Sequence, residues 1–149
     1  MVRLKHQEPA LIEWISGIVE RLPGGEALCH GDFHPGQVMF SDAQYAALDW
    51  SGAMRGDPLF DYARTRVLLS IGEPPPGTGL PLRFLATAGR QLLLSSYMRS
   101  YERSATEPVD GARVRDWEIV TVALRLLENI ARERSRLLRR LRRECGSHR

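Results

Sequence analysis

Residues 28–61, LCHGDFHPGQVMFSDAQYAALDWSGAMRGDPLFD, constrain this chain more than any other stretch. Three apolar runs, at 27–29, 37–40 and 45–48, are each only three or four residues long and are separated by polar loops. Runs this short suit strands of a small sheet better than helices. Ser41-Asp42-Ala43-Gln44 reads as the turn joining the second run to the third. Four aspartates punctuate the window. Asp32 falls in the loop between the first two runs, and Asp49 ends the third, seventeen residues later. Asp57 and Asp61 open the next element, a helix that Asp57 caps and Pro58 starts at its first position.

A loop carboxylate near a strand-terminal carboxylate, with the Gln37 side-chain amide five residues beyond the first, matches the needs of phosphoryl transfer. One carboxylate orients the attacking hydroxyl. The other, with an amide oxygen, holds magnesium against the nucleotide phosphates.

At these residues the sequence resembles the aminoglycoside phosphotransferase and choline kinase-like family, which shares the protein-kinase-like fold. The carriers are His30-Gly31-Asp32-Phe33-His34-Pro35-Gly36-Gln37, then Ala47-Leu48-Asp49-Trp50, then Gly56-Asp57-Pro58-Leu59-Phe60-Asp61. They stand in the family's order and spacing. The resemblance implies that Asp32 is the catalytic aspartate and that His30 braces the catalytic loop against the metal-binding segment. It implies that Asp49 and Gln37 hold Mg²⁺, and through it ATP or another nucleoside triphosphate. Asp61 becomes the support that pins the catalytic loop by backbone hydrogen bonds, and Asp57 a helix cap.

Two departures accompany the resemblance. Gln37 stands where the family carries asparagine, which moves the amide oxygen one methylene outward, and magnesium tolerates little distortion of its octahedron. Only 29 residues precede His30; they hold no G-x-G-x-x-G, and Lys5 is the sole lysine. The expectation is therefore a C-terminal catalytic lobe with the N-terminal lobe absent.

The remaining residues read as helices. Pro9, Leu11, Ile15, Ile18 and Leu22 set an amphipathic helix over 8–22, ended by Pro23-Gly24-Gly25. After the helix that starts at Asp57, with Phe60, Ala63, Val67 and Leu68 as its apolar face, the loop 72–79 is rich in proline and glycine. A long helix is expected over 81–103, and a last one over 112–143, with Trp117, Val120, Leu124, Leu127 and Ile130 at helical spacing. The fold class is α+β and mostly helical, a single 149-residue domain. Within it, 28–61 form the catalytic and metal-binding segment, 62–143 the substrate-side helices and 144–149 a tail.

Charge separates the rival functions. Eight arginines against two glutamates give 131–149 a charge of +6, so the other residues sum to −3 although the whole chain is +3. A nucleic-acid or membrane reading would rest on that arginine-rich end alone, and nucleic acid is disfavoured as a partner. No apolar stretch is long enough to cross a bilayer, the N-terminus shows no signal peptide, and two distant cysteines suggest no disulfide, so a cytoplasmic setting is expected. A zinc site at His30, Asp32 and His34 lacks a fourth ligand beyond His6 or His148.

The leading expectation is transfer of the ATP γ-phosphoryl group to a hydroxyl of a small molecule such as an aminoglycoside, a sugar or an amino alcohol. Glu102, Glu107, Asp110, Asp116 and Glu118 lie on the later helices and would favour a cationic acceptor if they lined the groove. The alternative is a non-catalytic remnant, a binding module that pairs with a separate N-lobe or with a second copy of itself through apolar residues around Phe33, Trp50 and Met54.

Overall fold

The computed structural model describes residues 8–72 and 77–147; Lys5, His6, His148 and part of the 72–79 loop lie outside the described residues. The element order is α1 (Pro9–Arg21), β1 (Ala27–Cys29), β2 (Val38–Ser41), β3 (Gln44–Ala47), β4 (Met54–Gly56), α2 (Pro58–Ile71), α3 (Leu80–Ser104), α4 (Gly111–Leu127) and α5 (Ala131–Gly146). Single 3₁₀ turns cover Pro35–Gln37 and Trp50–Gly52. The chain is a mostly helical α+β fold.

The β part differs from the expected single sheet. It comprises two separate two-stranded antiparallel ribbons. β2 and β3 form a hairpin, Val38 opposite Ala47 and Ser41 opposite Gln44. Asp42 and Ala43 both take positive φ, 48° and 64°, which identifies a type I′ turn. β1 pairs instead with β4, Ala27 opposite Gly56 and Cys29 opposite Met54. β4 is only three residues long and carries Arg55 and Gly56, too short and too polar to register as an apolar run.

Asp57 caps α2 by accepting from the Leu59 amide at 3.0 Å, and Pro58 occupies the first turn. α2 is buried nearly all round, not along one stripe: Arg64, Thr65, Leu69 and Ile71 are buried together with Phe60, Ala63 and Val67. It packs against α4, α3 and β1. The main core joins Leu11 and Ile18 of α1, Val67 and Ile71 of α2, Ile119, Val122 and Leu126 of α4, and Leu137 and Leu141 of α5. A smaller cluster of Leu59, Tyr62 and Val114 receives Tyr97, Met98 and Tyr101 from α3. α3 buries none of its residues completely.

The expected helix over 112–143 is two helices. Asn129, at φ 57°, adopts the left-handed conformation that terminates helices, and the chain restarts at Ala131. The burial face moves accordingly: Leu124 and Leu127 are exposed, whereas Ile119, Val122 and Leu126 are buried. α5 also runs through Glu144–Gly146, where a tail was expected. Its leucines are core, and Arg140 and Arg142 pair with Glu118 and Glu8. The arginine-rich end is thus docked onto the rest of the fold.

Candidate active site

The loop 30–37 is held by α2. The Asp61 carboxylate accepts from the His30 amide at 2.5 Å and from the Gly31 amide at 2.8 Å. Gly31 has φ +82°, and a Cβ there would stand 2.3 Å from the Gly52 carbonyl oxygen. Only glycine meets both demands. The Thr65 hydroxyl donates to the Phe33 carbonyl at 2.8 Å, so a second α2 side chain ties down the same loop.

His30 is buried and joins this loop to the segment ending at Asp49. Its Nδ1 accepts from the Asp32 amide at 3.3 Å, which leaves the proton on Nε2 to be donated to the Leu48 carbonyl at 2.8 Å. The Trp50 ring covers the imidazole, with centroids 4.6 Å apart. With both ring nitrogens engaged, His30 offers no lone pair to a zinc ion, and among the described residues no group of three potential metal-ligating side chains gathers.

Asp49 stands at φ 55°, an uncommon conformation for a residue with a side chain, and its carboxylate caps the 3₁₀ turn that follows. The Ser51 hydroxyl donates to Oδ1 at 2.6 Å and the Gln37 amide lies 3.4 Å from Oδ2. The hydrogen bonds from Ser51, hydroxyl first and then backbone amide, hold the Asp49 carboxyl below its usual range, so it is ionised at neutral pH. Asp49 presents carboxylate oxygens at an exposed position, and the Gln37 amide, which here turns its nitrogen toward Asp49, would supply an oxygen once rotated. This donor set fits magnesium, which binds through one or two protein groups and completes its shell with phosphates and water.

Asp32 is engaged by a residue that sequence reasoning did not single out. Arg64 of α2, buried like the core around it, donates to Asp32 Oδ1 at 2.9 Å and to Glu128 Oε1 at 2.7 Å. Asp32 Oδ2 remains open, with His34 Nε2 3.8 Å away. His34 itself caps the 35–37 turn, its Nδ1 accepting from the Gly36 amide at 3.0 Å. No local pattern marks Arg64 as special; it belongs to a helix with polar residues on several sides. Asp57 is buried at the N-terminal end of α2, one turn before Asp61. Besides capping that helix it accepts from Trp117 Nε1 at 2.7 Å and faces Arg113 at 3.5 Å, so it also ties α2 to α4.

Two cavities flank the Asp32 loop. One of about 420 Å³ is lined by Asp32, His34, Leu68, Arg90, Leu93 and Arg125. The other, about 340 Å³, is apolar and lies against Phe33, Val38, Thr65 and Tyr97. His34, Pro35, Leu69 and Leu93 line both, so the two are continuous neighbours.

A search of curated proteins and one of solved structures each return no match. The sequence profile of the phosphotransferase enzyme family (APH) matches residues 2–102, which include the whole Asp32–Asp49–Asp61 segment. With more than half of its length matched, this chain belongs to the phosphotransferase enzyme family.

Proposed function

We propose that the chain carries the catalytic and metal-binding residues of an ATP-dependent phosphotransferase that acts on a hydroxyl of a small molecule. The observation that carries this reading is the bridge through His30. One imidazole is bonded both to the Asp32 backbone and to the residue before Asp49, and Asp61 anchors the same loop. The proposed base and the proposed metal ligand therefore belong to one rigid platform.

In this reading Asp32 Oδ2 accepts the proton of the acceptor hydroxyl as its oxygen bonds to the γ-phosphorus. The bond from that phosphorus to the β–γ bridging oxygen breaks, and ADP leaves. Arg64 fixes the other Asp32 oxygen, which orients the carboxylate. Asp49 and the Gln37 amide oxygen would hold magnesium, which, when bound, neutralises the phosphate charge that opposes attack.

Calorimetric titration of the 149-residue chain with ATP, with and without Mg²⁺, tests the reading. Its sequence contains no G-x-G-x-x-G, so few phosphate contacts are available beyond those made through the metal. Each missing charged contact is worth roughly 1.5–3 kcal/mol, which sets the expected dissociation constant near millimolar. Binding should require Mg²⁺ and disappear in Asp49→Ala, and ATP turnover should stay at background. Binding without Mg²⁺, or binding that Asp49→Ala leaves unchanged, refutes the assignment of Asp49. Turnover abolished by Asp32→Asn would show a complete minimal enzyme.

A further inference from the structure

The charges around the 420 Å³ cavity beside Asp32 say which acceptors it suits. The carboxylates that could have met a cationic acceptor are committed elsewhere. Asp116 pairs with Arg21, Glu118 with Arg66 and Arg140, and Glu102 accepts from the Tyr62 hydroxyl. Asp110 caps α4, and Glu107 lines a different cavity, near Asp57 and Arg113. Among the described residues, the one carboxylate lining the cavity beside Asp32 is Asp32 itself, already paired with Arg64.

The cations there are not equivalent. Arg125 is neutralised by Glu128 at 2.5 Å and Glu133 at 2.7 Å. Arg90 has no hydrogen-bond or ion-pair partner among the described residues. Its guanidinium lies close to Gly72, where a Cβ would stand 3.2 Å from Arg90 Cζ. A packed, unpaired guanidinium offers a planar fork of donors matched to a carboxylate or a phosphate.

We propose that the acceptor carries an anionic group, a carboxylate or a phosphate, which Arg90 binds while the acceptor hydroxyl lies at Asp32. The proposal rests on the phosphotransferase reading of the site. The adjoining 340 Å³ apolar cavity takes the carbon skeleton, against Phe33 and Tyr97. An ammonium group in the same place would face Arg90, and the one carboxylate among the described lining residues, Asp32, is already paired with Arg64.

The test uses four size-matched probes, gluconate, glucose 6-phosphate, glucose and glucosamine, titrated at low salt into the wild-type chain, Arg90→Gln and Arg90→Glu. Gluconate, glucose 6-phosphate or both should bind about tenfold or more tightly than glucose, with glucosamine weakest. Which of the two binds tells carboxylate from phosphate. Arg90→Gln should erase the preference and Arg90→Glu should shift it toward glucosamine, with thermal melts reporting that both variants fold. Equal binding of glucose and the two anions, no binding of either anion, or an anion preference that survives Arg90→Gln overturns the proposal. So does an Arg90→Gln variant that loses thermal stability alone, because Arg90 would then serve only the C-terminal end of α2. The titrations contain neither nucleotide nor Mg²⁺, so this subsite and the nucleotide-binding reading can fail independently.

Discussion

Ala43 occupies the second left-handed position of the β2–β3 turn, at φ 64°, without the freedom that glycine has there. A left-handed residue with a Cβ costs roughly 1–2 kcal/mol, and glycine returns part of that gain by loosening the unfolded chain. Ala43→Gly should therefore stabilise the protein by about 0.5–1 kcal/mol, read as a higher urea midpoint with an unchanged slope. Cys29 makes a second prediction at this scale. Burial, reinforced by the charges of Asp61 and Asp57, pushes its thiol from 9.0 up to about 11. Between those values the unfolded chain gives up its proton first, so stability present below the lower value falls as pH rises toward the upper one. The loss is of the order of 2–3 kcal/mol. Tyr62 and Tyr97, both pushed up to about 12 chiefly by burial, add to it at higher pH. Thermal melts across that window should fall less steeply for Cys29→Ala than for the wild type; parallel curves would rule the thiol out.

Among the elements, α2 organises the site, because Asp61, Arg64 and Thr65 of its first two turns all reach the 30–33 loop. Asp61→Ala leaves two partly buried amides without an acceptor, at roughly 1–3 kcal/mol each. It should speed hydrogen exchange at His30 and Gly31 far more than in α4; uniform acceleration would show that Asp61 supports the whole fold instead. Gly31→Ala must either displace the Gly52 backbone or reshape the loop, and should cost at least about 2 kcal/mol. The start of α2 was legible in the sequence because capping is local: Asp57, Pro58 and the Leu59 amide are consecutive. The break near Asn129 was not, because the apolar period continues across it and one left-handed residue suffices to end a helix.

At the scale of the whole molecule, α3 leaves an apolar surface in water. Phe84 is 78% and Leu92 71% exposed, with Leu80, Leu82 and Leu85 also open. Trp50 and Met54 are exposed beside the candidate site, whereas Phe33 is half-buried. Apolar patches beyond a few hundred Å² favour association. Light scattering over a concentration series should show reversible self-association, reduced by Phe84→Ser with Leu92→Ser; a monomer at every concentration would contradict this. No described helix is long and apolar enough to cross a membrane.

What the sequence by itself determined was local. The short runs, the presence of a turn at 41–44, the cap of α2 and the order of the Asp32, Asp49 and Asp61 segments each depend on residues within a few positions of one another. Tertiary structure alone decided the rest: the β1–β4 pairing, the docking of the arginine-rich helix, and the partners of Asp32. Arg64 lies 32 positions from Asp32 and 64 from Glu128, and Arg90 of α3 lies against Gly72, just past the end of α2. Such contacts are set by how the helices pack, and any of twenty arginines could have filled those places as far as composition goes. Chain order therefore marked where the chemistry would be, while packing chose which cation steadies the carboxylate and which one faces the cavity.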